Sequence, residues 1–196
     1  MKYGKAALAI LLAAGMTVGA AGCALLDIDT DAGNTDSVQS LTQSQIEEKS
    51  QTVATYDGQY TLMVPKGWTD KGQAANEDAI LTMASGDGAL GMNILSESRE
   101  DFVQDMTLET FAELSLESIA VENKTLGETS ERTLDGCPVI LRQITGDLGA
   151  LRIHYWMYTI GYADAFTRLL FFCVPSDKDK AFPTVETIAQ SVHRGL

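Results

Sequence analysis

Between Gln51 and Pro65 the chain reads QTVATYDGQYTLMVP, two short alternating runs around Asp57-Gly58. Alternation places successive side chains on opposite faces of a strand, and Asp-Gly supplies a tight turn, so the segment predicts a β-hairpin. AILTMA and ALGMNILS flank Ser85-Gly86-Asp87-Gly88 and predict a second hairpin. From Thr107 to Val121 the period changes. Leu108, Phe111, Ala112, Ser115 and Ile119 fall on one face of a helix. Thr107 can cap its first turn, and Glu109 suits its positive end. Strands return at Thr125 to Leu134 and Cys137 to Thr145, joined by Asp135-Gly136, then at Ala150 to Gly161 and Asp164 to Val174. A last helix starts at Pro175-Ser176, with Phe182, Val185, Ile188, Ala189 and Val192 as its apolar stripe. Ser176 and Asp179 suit a capping arrangement there, and Pro183 predicts a kink or restart.

The three late strands accept a trial register. A two-residue turn within Gly161-Tyr162-Ala163-Asp164 sets Trp156 opposite Leu169, and closure of the preceding hairpin by GDLG sets Leu141 opposite His154. One face then carries Val139, Leu141, His154, Trp156, Leu169 and Phe171. The other carries Ile140, Ile144, Ile153, Tyr155, Met157, Leu170 and Phe172. A sheet wet on one side would not be apolar on both, so something covers each face. The expected class is α+β, an antiparallel β-sheet sandwiched between helices.

Ahead of these elements lies a different pattern. Lys2 and Lys5 are the only charges before Asp27, and Ala6 to Leu26 is apolar or small except for Thr17. A basic start, an apolar middle and a small-residue end make a secretory signal. The end, Ala20-Ala21-Gly22-Cys23, resembles the bacterial lipobox. That resemblance implies a signal peptide over 1–22, diacylglycerol on the Cys23 thiol, and a protein held by lipid on the extracytoplasmic face of the cell membrane. Two other readings stay open: an ordinary signal peptide with Cys23 incidental, and a single membrane helix, since the run is about long enough to cross a bilayer. Residues 23–50 then read as the acylated cysteine and a flexible acidic linker, and 51–196 as the folded domain. Within the linker Asp27, Asp29 and Asp31 have the first spacings of a calcium loop. Ala32 stands where its glycine belongs and Val38 where its glutamate belongs, so no calcium site is expected.

TLMVPKGW early and FFCVPSDKDKAFPTVETIAQSV last, with this order of elements, resemble the PsbP-like superfamily. The resemblance runs from Gln51 to Val192. It implies a PsbP-like α/β/α sandwich and a non-enzymatic accessory or binding protein, and it carries no shared set of functional residues.

Composition narrows the chemistry. A formal net charge of -13 argues against a nucleic-acid partner. GDGALG matches a dinucleotide fingerprint letter for letter, but Leu90, Met92 and Ile94 continue it as a strand, so it reads as a turn. His154 and His193 are the two histidines, too few and too isolated for a zinc site. Cys137 and Cys173 fall at opposite ends of the trial sheet and are expected as free thiols. Neither metal nor cofactor is expected. The least ordinary cluster is Arg142, Arg152, His154, Trp156 and Arg168 on the central strands. Arginines on apolar faces need partners. Each can be paired to an acid at the sheet edge, or together they can form a groove for an anionic ligand or a partner's carboxylates with Trp156 as anchor. The expected function is docking of an envelope protein partner. The rival is a small-molecule carrier, and a hydrolase comes third.

Overall fold

The computed structural model describes residues 49–102 and 105–195. The signal peptide, Cys23 and the linker as far as residue 48 lie outside the described residues, as does the Asp27, Asp29, Asp31 run.

The first two hairpins close with the same chemistry. β1 (Ser50–Ala54) and β2 (Tyr60–Pro65) meet at a turn in which the Thr55 hydroxyl donates to Asp57 Oδ1 and accepts from Tyr60 N at 3.1 Å. β4 (Leu81–Ala84) and β5 (Leu90–Ser98) meet where Ser85 donates to Asp87 Oδ1 and accepts from Leu90 N at 3.0 Å. In both, the glycine after the aspartate takes a left-handed conformation, φ 71° at Gly58 and 72° at Gly88, which a side chain would resist. GDGALG is therefore half turn and half strand. Its third glycine, Gly91, lies opposite Phe172, and a Cβ there would sit 2.2 Å from that ring.

The remaining strands are β3 (Thr69–Asp70), β6 (Glu122–Leu134), β7 (Cys137–Leu148), β8 (Leu151–Gly161), β9 (Ala165–Cys173) and β10 (His193–Arg194). Seven form one antiparallel sheet in the order β3-β4-β5-β9-β8-β7-β6, and β1-β2-β10 form a second. The helices are α1 (Leu108–Ser118) and α2 (Lys178–Gln190). The architecture is α+β with the antiparallel sheet between helices, as the pattern implied, and a small second sheet adds to one cover. α1 covers one face of the large sheet, but the other face is covered by α2 together with the small sheet. Tyr60, Leu62 and Val64 of β2 share a core with Val185, Ile188 and Ala189 of α2 and with Trp156, Leu169 and Phe171 of the large sheet. A two-residue strand at the C-terminus is too short to show in a sequence period.

The trial register needs a correction. The β8–β9 turn is centred on Ala163-Asp164, with Tyr162 N donating to Ala165 O, so Trp156 faces Phe171. The β7–β8 hairpin closes at Gly149 and Ala150, so Leu141 faces Tyr158 and His154 faces Thr145. Both slips are even. Side chains alternate with period 2, so every residue kept its assigned face.

Thr107 caps α1 as expected, accepting from Thr110 N at 3.2 Å. α1 stops at Ser118 because Ile119 turns extended. α2 follows a short 3-10 turn, Pro175–Asp177. Asp177 occupies its N-cap position without a side-chain bond, so the cap expected from Ser176 and Asp179 does not form. Pro183 lies inside α2 without ending it. Glu186 ties the helix to the sheet, accepting from Arg132 of β6 and from the Tyr158 hydroxyl of β8. Cys137 and Cys173 are free. The register puts them about eight residues apart along the strands, roughly 26 Å, far beyond disulfide reach.

Candidate functional site

The large sheet divides the five candidates into two groups. Arg142 of β7 and Arg168 of β9 point to the α1 side, with Ile144 and Leu170. Arg152, His154 and Trp156 of β8 point to the α2 side. They do not form one groove, because alternation along the strands puts the two groups on opposite faces of the sheet.

Each arginine has its acid. Arg168 is buried and donates to Glu97 of β5 and, at 3.4 Å, to Ser118 Oγ at the end of α1. Its ring neighbour is Phe111, 5.6 Å from the guanidinium carbon. Burial lowers the Arg168 pKa, and Glu97 opposes that shift. Arg142 pairs with Glu113 of α1 at 2.5 Å. Arg152 pairs with Asp147 across the hairpin at 2.7 Å. Asp147 also accepts from Asn123, and those two partners hold its carboxyl below the usual carboxylate range. Three arginines in three local pairs leave no shared anion cradle.

His154 and Trp156 are neighbours in the core. His154 Nδ1 lies 2.9 Å from Thr145 Oγ1, while Nε2 is buried without a partner among the described residues. The ring stands edge-on to Trp156 at 4.5 Å. Burial and, next, the charge of Lys178 push its pKa below the ordinary histidine value, with Asp179 pulling the other way. Trp156 is 1% exposed, so it serves as core rather than as the exposed anchor expected of it. It stacks on Phe182 of α2, centroids 6.0 Å apart and planes 22° apart.

Where that stack meets solvent there is a shallow groove of 160 Å³, lined by Gln143, Trp156, Lys178, Asp179 and Phe182. Four of these lining residues were not among the sequence candidates. In the sequence Phe182 reads only as part of the helix stripe, and the pairing of Gln143 with Trp156 depends on the true register. Binding cavities for drug-sized ligands run to about 300–1,000 Å³. This groove has room for one side chain of a partner or a very small molecule. Among the described residues no group of three or more His, Cys, Asp and Glu is placed to hold a metal. No described helix is long and apolar enough to cross a membrane.

The fold has known counterparts. No family model matches the sequence, and no curated protein matches it. Among solved structures it is similar to cyanobacterial PsbP (CyanoP) from Synechocystis, with a TM-score of 0.57, 13% identity, and coverage of 83% of this chain and 100% of that one. It is also similar to LpqN of Mycobacterium tuberculosis, which is involved in cell envelope biogenesis (TM-score 0.52, 12% identity, 79% and 98% covered). A third is the Ran-binding protein Mog1p of Saccharomyces cerevisiae (TM-score 0.53, 10% identity, 74% and 95% covered). At these identities the likeness establishes the fold, and the fold is PsbP-like.

Proposed function

We propose that this chain is a non-enzymatic binding or accessory protein, anchored through lipid on Cys23 at the extracytoplasmic face of the cell membrane, and that its folded domain docks a protein partner in the envelope. The observation that carries the docking reading is the closed packing of the candidate residues among the described residues. Trp156, His154 and Arg168 are packed in the body of the protein, each candidate arginine is paired, and the groove at Trp156 and Phe182 holds 160 Å³. Recognition is then a matter of surface, with Phe182, Lys178, Asp179 and Gln143 as the rim of a site for one protruding side chain. The small-molecule carrier is the weaker reading, because a groove of this size buries little of a ligand. Neighbours of this fold include an envelope-biogenesis protein and a Ran-binding protein, which agrees with an accessory role without naming a partner.

The anchor rests on residues 1–27: the basic start, the apolar run and Ala20-Ala21-Gly22-Cys23. Two acyl chains give stable anchoring, and the acidic segment behind them is a leash that raises the local concentration of the domain near membrane partners. Metabolic labelling with a fatty-acid probe tests it: Cys23→Ala abolishes incorporation, and unchanged labelling would refute lipidation at Cys23. Crosslinking in intact cells followed by affinity recovery tests docking. A reproducible envelope partner lost in Phe182→Ala supports the site, and a partner retained by that folded variant removes it.

A further inference from the structure

His154 lies behind this groove, against Trp156 of its lining. It is 4% exposed, its Nδ1 is occupied by Thr145, and its Nε2 has no partner among the described residues. A neutral imidazole tolerates this. An imidazolium does not, because a second N–H then needs an acceptor in a dry place. The groups around it are uneven. The start of α2 presents Lys178, which repels the charged ring, and Asp179, which attracts it. The preceding turn carries Asp177, β9 places Cys173 directly opposite, and β7 offers Thr145 and Gln143. Arg152 and Asp147, at the hairpin end of the same face, already neutralise each other. Relief of an imidazolium therefore needs water or the Asp179 carboxylate to reach Nε2. Either requires the first turns of α2 to shift against β8. Those turns carry Phe182, whose stacking on Trp156 limits the depth of the groove, and Trp156 is in edge contact with His154 itself.

We propose that His154 is a proton-operated wedge, whose protonation parts Phe182 from Trp156 and widens the groove while the rest of the domain stays folded. The docking surface proposed above is thereby narrow at neutral pH and wider in acid. The biological use of the wedge rests on that docking reading, but opening itself is readable without any partner, so the two fail separately.

The test uses the full-length chain with Trp68→Phe, which leaves Trp156 as the single remaining tryptophan of two. Acrylamide quenching of Trp156 is followed from pH 8 to pH 4 beside far-UV circular dichroism. The expected result is a reversible rise in quenching of about threefold, with a midpoint below the ordinary histidine value of 6.5 and unchanged far-UV signal. His154→Gln makes the profile flat. Proton NMR of the unsubstituted chain serves if that variant does not fold: the His154 and Phe182 ring signals move with one midpoint. Quenching that is flat in the parent, a rise that survives in His154→Gln, a rise that coincides with loss of far-UV signal, or separate NMR midpoints would each overturn the wedge.

Discussion

Glu97→Ala is the most informative perturbation of the body of the protein, because it strands a charge. Arg168 has 8% of its side chain exposed and Glu97 has 35%. Removing one partner of a fully buried pair costs about 3–5 kcal/mol, nearly all of it the cost of an uncompensated buried ion. Glu97 is near the surface, so water can reach part of the vacated space, and the expected cost falls to about 2–3 kcal/mol. Arg168→Leu acts in the opposite sense. It withdraws the buried cation, leaves Glu97 able to hydrate, and puts an apolar group beside Phe111 and Leu170, so its cost is about 1 kcal/mol or less. The double variant is then more stable than Glu97→Ala alone. Urea denaturation followed by tryptophan emission gives the free energies, and thermal melts should fall by roughly 5–10 °C for Glu97→Ala. If Arg168→Leu costs as much as Glu97→Ala, or the two costs simply add, the pair does not work by charge compensation and the reasoning is wrong.

Other outcomes follow from single sites. Gly91→Ala should cost about 1–3 kcal/mol, because its methyl group meets the Phe172 ring at 2.2 Å, and the cost should largely vanish in a Phe172→Ala background; equal costs in both backgrounds, measured by denaturation, would contradict the clash. His154 makes stability depend on pH in a fixed direction. Its folded-state pKa is below the ordinary 6.5, so above that value both states are neutral and nothing is lost. As pH falls through it the unfolded chain takes the proton first, so stability drops until the lower folded-state value is passed, then levels. Melting temperatures from pH 8 to pH 4 should show this fall in the parent and a smaller one in His154→Gln. Arg152→Ala should change stability by less than about 1 kcal/mol, since its side chain is 47% exposed and its pair is a surface pair.

Period and turn chemistry alone determined a good deal. Alternation with Asp-Gly turns located the strands, the 3.6 period located both helices, and the apolar character of both faces of β7, β8 and β9 required two covering layers. Face membership survived a wrong register, because every slip was even and the alternation has period 2. The sequence by itself also carries the whole argument for Cys23, since a processing signal is read as an extended string.

The tertiary structure decided the rest, for reasons that no local pattern holds. Turn position is set by where the chain can bend: Gly149 does so with a positive φ of 59°, the β8–β9 turn bends at Ala163-Asp164, and together they moved the partners across β7, β8 and β9. β10 joined β2 through long-range hydrogen bonds too few to leave a period. Most of all, the site changed. Alternation already set Arg142 and Arg168 on one face and Arg152, His154 and Trp156 on the other, and only the packing supplied the partner and the cover of each. It sends two arginines to Glu97 and Glu113 under α1, and it seals Trp156 beneath Phe182. Only the packing of α2 across β8 brings Lys178, Asp179 and Phe182 to the rim of one groove with Gln143, because α2 and β7 are distant along the chain and meet through the fold alone.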